Sequence, residues 1–308
     1  MAVPNITLSN GVQMPILGLG TWQSTQKEVK DAVRFALKSG YRLIDTASVY
    51  ANEEFIGDAI REAIADGVIT RDQLFITTKA WTHEIAPNKL EAALRESLRK
   101  LKLDYVDLYL AHMPTATEKD GSHLQISVKS VWKEFENVYK LGLTKAIGVS
   151  NWNTKQIAKV LKSGKVPVHN SQVELHLYFA QHEHHEFCKL HNIAVTSYAT
   201  LGSPGRFNDR NVEWSRAPLD LLDANVTNLA IKHNKTPAQI LLRYVLDRGV
   251  AVIPKSRNLI RIIENFKVFD FNLTFEEIEL LESTKIDQRL FLQEFMAGHK
   301  EDSFAKER

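Results

Sequence analysis

GYRLIDTASVYANEEFIG, residues 40–57, reads as a strand, a turn and the start of a helix. YRLID is a short apolar strand that ends on a carboxylate, and TASVYAN is a polar turn carrying a tyrosine. In the helix that follows, Phe55, Ile56, Ala59, Ile60, Ala63 and Ile64 recur at spacings of three and four, which makes one apolar face. Asp45 therefore closes a strand, and Tyr50 lies in the loop after it. In a β/α barrel that edge of the sheet is where chemistry is done.

The same strand-then-helix unit recurs along the chain. ITLSNGVQMP predicts a β-hairpin around Asn10-Gly11, a type I′ dipeptide, lying outside the main fold as a cap. Strands are predicted at ILGLG, YRLID, LFITT, YVDLYLA, KAIGVS, Asn170–Leu175, IAVTSY and VAVIP. Helices are predicted over 28–39, 53–66, 88–101, 127–141, 154–163, 183–191, 236–247 and 258–266. Extra helices are expected at 220–233 and after the capping box Thr274 to Glu277. Most of the strands lack two-residue alternation, as suits strands buried on both faces. Eight parallel units of this kind predict an α/β fold, a (β/α)8 TIM barrel over residues 1–308 as a single domain, with an N-terminal hairpin cap and a C-terminal loop over the pocket. The competing doubly wound open sheet needs a glycine-rich phosphate loop after a strand, and LGLGTW lacks its third glycine.

Composition narrows the function. With 308 residues, 44% hydrophobic and 25% charged, the chain is globular in make-up. A net charge of +2 supplies no field for nucleic acid or an acidic membrane. The one cysteine, Cys188, fits a reducing compartment, and no apolar run nears the ~20 residues of a membrane span. A cytoplasmic protein is expected, since the first residues resemble no secretory signal.

The strand ends carry the informative residues. They are Asp45, Lys79, His112, Ser150-Asn151, Gln172, Tyr198 and Lys255-Ser256, all on the same rim of the predicted barrel. Any one of them alone has an ordinary reading, but a barrel gathers them around one pocket. A lysine at that mouth needs a counter-charge, which Asp45 supplies from the neighbouring strand. Lys79 held cationic beside Tyr50 is expected to lower the phenol pKa and make Tyr50 a competent general acid. His112 is placed to donate to a substrate oxygen. With no nucleophile in view, the attack on a carbonyl carbon is left to a hydride from a cofactor. Ser150, Asn151 and Gln172 suit a carboxamide, and Tyr198 offers a face for a nicotinamide. Lys255, Ser256, Asn258 and Arg261 stand at a helix start, where cations are normally disfavoured, so a 2′-phosphate and hence NADP is expected there.

Three stretches carry a family resemblance: residues 40–57, KAIGVSNW (145–152) and IPKSRNLIRIIENFKVF (253–269). The chain resembles the aldo-keto reductases, of the aldose reductase and aldehyde reductase type. The resemblance implies a catalytic tetrad of Tyr50, Asp45, Lys79 and His112, with Tyr50 as proton donor. It implies NADPH/NADP+ as cofactor, with Glu264 and Asn265 at the adenine, Leu201 and Ser203 over the pyrophosphate and Thr21-Trp22 at the ribose. Trp22, Val49, Trp81, His112 and Met113 would face substrate, with Phe207 beside them and Phe291, Phe295 and Met296 closing the pocket from the tail. Its activity would be reduction of aldehydes and some ketones to alcohols by a monomer acting on small-molecule carbonyls. The alternative on the same fold is a non-enzymatic NADP(H)-binding regulatory or structural protein. A barrel hydrolase without nicotinamide would need a carboxylate pair or a metal site that the sequence does not present.

Some positions depart from the family pattern. Met113 follows the histidine where tryptophan is common, which predicts a flexible wall. Thr200 replaces a common proline, as does Leu177. Gly205 stands where an acidic latch is usual, so Asp209 is the candidate substitute. QHEHHEFCKLH places His184 and Cys188 four apart, but it reads as a surface helix and no metal site is expected.

Overall fold

The structure, a computed structural model, describes residues 3–206 and 217–308. The chain opens with an antiparallel hairpin, β1 (Asn5–Thr7) and β2 (Gln13–Pro15). Parallel strands follow as β3 (Leu19–Gly20), β4 (Leu43–Asp45), β5 (Phe75–Ala80) and β6 (Leu108–Ala111). A second small hairpin, β7 (Ala116–Thr117) and β8 (His123–Leu124), precedes β9 (Ile147–Ser150), β10 (Asn170–Glu174), β11 (Ala194–Tyr198) and β12 (Ala251–Val252). The eight parallel strands run in the order β12-β11-β10-β9-β6-β5-β4-β3. Parallel bridges Leu17↔Val252 and Gly20↔Lys255 join the two ends, so the sheet closes into the expected (β/α)8 barrel.

Apolar residues fill both sides of this wall. Outside, one continuous core joins the strands to the surrounding helices, with Trp132, Phe135, Ile147, Leu241 and Ile262 among its buried members. Inside, Leu43, Phe75, Leu108, Leu110, Ala251 and Ile253 pack against Leu8 and Met14 of the N-terminal hairpin. Each of those two plug residues contributes roughly 1.5–3 kcal/mol by burial. The hairpin thus stoppers one end of the barrel and leaves the rim at the strand C-termini for chemistry.

Local signals set the helix boundaries. Asn153, Thr236 and Thr274 each accept from a backbone N–H at the start of α5 (Thr154–Ser163), α8 (Pro237–Asp247) and α10 (Phe275–Glu282), and each helix returns a Gln or Glu side chain to its cap. Pro237 stands at the first turn of α8, as the sequence predicts.

Two readings of the sequence are corrected, and one hairpin is added to them. The first hairpin does not turn through a type I′ pair: Gly11 has φ of +87°, whereas Asn10 is not left-handed. Gly11 N–H bonds Leu8 O at 2.8 Å and Leu8 N–H bonds Val12 O, a longer loop with glycine at its left-handed position. The helix expected over 220–233 is broken at Asp223, whose carboxylate caps α7 (Ala224–His233) after a 3-10 turn at Asp220–Leu222. Hairpin β7–β8 has strands of two residues, too short for periodicity to reveal.

The barrel seam depends on Gly20, where a Cβ would lie 2.6 Å from the carbonyl oxygen of Ile253. Gly20→Ala is expected to force the β3–β12 seam apart and to cost about 1–3 kcal/mol, measured as a lower denaturant midpoint with unchanged slope. An unchanged midpoint would mean that the seam yields without cost.

Candidate active site

Asp45 and Lys79 are brought together by strand register. Asp45 pairs with Thr77 across β4 and β5, so Lys79 stands two residues further toward the rim. Its Nζ donates to Asp45 Oδ1 at 2.5 Å and to Thr46 O at 2.9 Å. Lys79 is fully buried and Asp45 nearly so. The other carboxylate oxygen of Asp45 accepts from Gln172 Nε2 at 2.8 Å. Burial pulls the lysine below its ordinary pKa, and Asp45 opposes that by favouring the cation.

Tyr50 reaches this pair from the 3-10 turn Ser48–Tyr50, with its ring 5.1 Å from Lys79 Nζ. The expected lowering of the phenol pKa is not what the structure shows. Burial pushes the Tyr50 hydroxyl well above its ordinary value, and the Asp45 carboxylate adds to the rise. Tyr50 therefore holds its proton at neutral pH. His112 directly follows β6, and its ring meets Tyr50 at 5.6 Å and Trp81 at 4.9 Å, both edge-on. Burial, then the Lys79 cation, hold the imidazole well below its usual pKa, so it is neutral. Its Nδ1 is buried with no hydrogen-bond partner among the described residues. An orphaned buried donor or acceptor beside a phenol fits a polar atom of a ligand.

The residues predicted for a carboxamide are in place, but they are partly engaged by the protein. Asn151, at φ 62°, donates from Nδ2 to His112 O at 2.9 Å and accepts at Oδ1 from Tyr198 OH at 2.7 Å. Ser150 Oγ accepts from the same Asn151 amide at 3.2 Å. Gln172 spends its N–H on Asp45 rather than facing the pocket alone. The Thr21 hydroxyl is likewise spent on Asp45 O at 2.9 Å. Asn52, which the sequence reading missed, holds the Thr21–Ser24 loop through both backbone carbonyls.

The basic cluster sorts into engaged and open members. Arg257, which lies between the expected clamp residues, is paired with Glu28 at 2.7 Å. Asn258 is the N-cap of α9 (Leu259–Phe266) and accepts from Arg261 N–H. Ser256 Oγ accepts from Asn258 N–H at 3.1 Å. Lys255 donates only to Gln23 O at 3.3 Å, and neither it nor Arg261 pairs with a carboxylate among the described residues. Glu264 is bound by the Thr236 hydroxyl at 2.7 Å. Asn265 is buried, and its amide makes no hydrogen bond among the described residues, which suits a flat polar ring.

A strap and a tail complete the walls. Leu201 is half-buried, and Ser203 is left-handed at φ 44°. Arg206 donates to Gly202 O and to Ala217 O, which ties the two described ends of the strap together. Phe207 and Asp209 lie outside the described residues. Phe291 packs edge-on against Trp22 at 5.7 Å and against Tyr198 at 5.8 Å. Phe295 lies over Trp81 at 5.5 Å. Met113, expected to form a flexible wall, is buried with Met296 and Phe304 against Trp81. Val49 remains 43% exposed at the mouth. The helix His182–Leu190, read as a surface helix, buries the face that carries His184 and Cys188, and His184 Nε2 lies 3.0 Å from Ser171 Oγ.

A network absent from the sequence reading anchors both strap and tail. Glu174, fully buried, accepts from Leu290 N–H at 2.5 Å and Phe291 N–H at 3.0 Å. His176 bridges Glu174 Oε1 and Asp220 Oδ2, at 3.1 Å each. Burial opposes its charge, but the hydrogen bonds to Asp220 and Glu174 outweigh it and push the imidazole up to about 9.

The chain is similar to known proteins along most of its length. Residues 16–286 match the sequence model described as the Aldo/keto reductase family. The chain is 42% identical over 292 residues to aldo-keto reductase family 1 member A1 of Xenopus tropicalis, covering 91% of this chain and 88% of that protein. Among solved structures, it is similar to a Bombyx mori aldo-keto reductase in complex with NADP, with a TM-score of 0.92 and 38% identity over 98% of this chain and 99% of that one. It is also similar to an aldose reductase from Schistosoma japonicum, with a TM-score of 0.91 and 36% identity over 99% and 100% of the two chains.

Because the pKa of His176 is raised on folding from an ordinary 6.5 to about 9, its stabilising charge is fully present below about 6.5 and is lost as pH rises through about 9. Thermal melts of the wild type are expected to fall across that window. His176→Gln, which keeps a donor but cannot titrate, should show no such fall. Parallel curves for the two proteins would exclude a charged His176.

Proposed function

The chain belongs to the aldo/keto reductase family, and from that premise we propose that it reduces aldehydes and some ketones to alcohols with NADPH, as a cytosolic monomer built as one barrel domain. The observation that carries this reading is Tyr50, set over the buried Asp45–Lys79 pair with the neutral His112 beside it. Lys255, Ser256 and Arg261 would hold the 2′-phosphate, Asn265 the adenine, and Ser150, Asn151 and Gln172 the carboxamide, with the face of Tyr198 against the ring. NADPH, when bound there, supplies the hydride.

The chain's own groups handle the oxygen. Tyr50 OH and a ring nitrogen of His112 converge on the carbonyl oxygen and orient it. Both are neutral donors, so neither loses strength to a competing counter-ion within the pocket. As negative charge grows on the oxygen, Tyr50 gives up its proton. An alkoxide is a stronger base than a phenolate, so even a phenol with a raised pKa transfers its proton downhill. The Lys79 ammonium then lies next to the phenolate, and Asp45 keeps that ammonium charged and pointed. Trp22, Trp81, Phe291 and Phe295 exclude water around the reacting carbon and favour an apolar substrate, such as an aromatic aldehyde.

Tyr50→Phe is expected to lower turnover of an aromatic aldehyde by about 10²–10⁴-fold while NADPH fluorescence is still quenched on binding. Undiminished turnover would refute Tyr50 as the donor. Lys255→Ala combined with Arg261→Ala should weaken NADPH by about tenfold or more, a loss of 1.4 kcal/mol per factor of ten, and leave NADH nearly unchanged. Equal losses for both cofactors would place the phosphate elsewhere.

A further inference from the structure

The turn after β5 carries a carboxylate that the tetrad does not include. Glu84 Oε2 accepts from the Trp81 backbone N–H at 2.7 Å and from the Ser48 hydroxyl at 2.6 Å. Glu84 N–H returns a bond to Trp81 O at 2.9 Å, so the residue closes its own turn from both sides. The Ser48 hydroxyl has one proton. Its second acceptor within reach, Lys79 O, is 3.2 Å away, and the charged oxygen is both closer and stronger. No lysine, arginine or histidine pairs with Glu84 among the described residues, so both of its protein partners are neutral donors.

What those two bonds hold is significant. Ser48 opens the 3-10 turn that ends on Tyr50. That turn is only three residues long and is followed by Ala51, left-handed at φ 55°, so its internal hydrogen bonds do little to fix it. Trp81 opens the turn after β5, the strand next to β4 in the barrel. The His112 ring is flanked by the rings of Tyr50 and Trp81. One carboxylate oxygen therefore ties together the two segments whose rings flank His112. The turn is fastened further where Thr82 Oγ1 meets Thr117 Oγ1 at 2.8 Å, so Glu84 has a fixed base from which to hold Ser48.

We propose that Glu84, acting through Ser48, is a positioning residue that sets the Tyr50 hydroxyl against the substrate oxygen and aligns Trp81 with His112. This rests on the reductase reading above. The geometry explains why one oxygen suffices: both bonds converge on Oε2, so a side chain of the same length with a single acceptor oxygen can replace the glutamate. Placement of a proton donor to within an ångström is worth up to about 10²-fold in rate. Binding of NADPH draws on other elements and should not feel the change.

The test compares Glu84→Ala, Glu84→Gln and Ser48→Ala with the wild type, using an aromatic aldehyde and NADPH, and also reads NADPH affinity by fluorescence quenching and melting temperature. The expected result is a fall in kcat of about 10- to 100-fold for Glu84→Ala with NADPH affinity unchanged. Glu84→Gln should recover kcat to within about threefold, because its amide oxygen accepts both bonds. Ser48→Ala should lower kcat, and adding it to Glu84→Ala should lower it no further, since both act through one contact. Wild-type kcat in Glu84→Ala overturns the proposal, as does a Glu84→Gln variant no better than Glu84→Ala. A fall in kcat matched by equal loss of NADPH affinity and melting temperature also overturns it, since that marks a merely structural role. Absence of turnover in the wild type is a separate result: it refutes the reductase reading, and this proposal with it.

Discussion

The buried contact between Asp45 and Lys79 constrains everything around it. Taking two ions out of water costs several kcal/mol each, and their mutual attraction repays that only with full hydrogen bonding. The barrel supplies it through Thr46 O on the lysine and Gln172 on the carboxylate, drawn from opposite arcs of the sheet. That requirement couples chemistry to closure. If β4 slipped by one residue against β5, Asp45 would turn to the other face and leave an uncompensated ammonium in the wall. The pair is costly to bury and more costly to break, so it holds the register of the strands that carry it.

The charge also orders its neighbours. A cation at Lys79 adds to the burial that keeps His112 neutral, and it lies next to whatever charge Tyr50 acquires. Gln172 shows the same economy. The sequence assigns it to a ligand, but it serves Asp45 first, and through Asp45 it acts on Lys79. Asn151 shares its amide between His112 and Tyr198. The carboxamide seat and the acid–base group are therefore one hydrogen-bonded body, built from strands on both sides of the pocket.

Much of this was legible in the sequence, for identifiable reasons. Buried parallel strands, capped helices and strand-end polar residues leave one-dimensional signals, and those placed Asp45, Lys79, His112 and Tyr198 on one rim. The signals fail where a residue's partner lies far along the chain. Glu174, His176 and Asp220 look unremarkable until the fold brings residue 220 and the tail onto β10. Nothing in the sequence tells Arg257 apart from its basic neighbours, and only the approach of the helix Gln26–Lys38 shows that Glu28 claims it. The direction of the Tyr50 shift is not legible either, because the sequence places the lysine nearby but does not show how deeply the ring is buried, which is the larger cause of the rise.

At residues 290 and 291 the tail is secured to Glu174 by main-chain N–H groups, with the Arg289 guanidinium 3.9 Å from the same carboxylate. An anchor of that kind does not depend on what residues 290 and 291 are, provided neither is proline. The pocket lining at these positions can therefore diverge freely during evolution, or be exchanged by an engineer, while the chain stays moored. Selectivity and attachment are inherited separately, so new chemistry at the mouth can be explored without first rebuilding the seat beneath it.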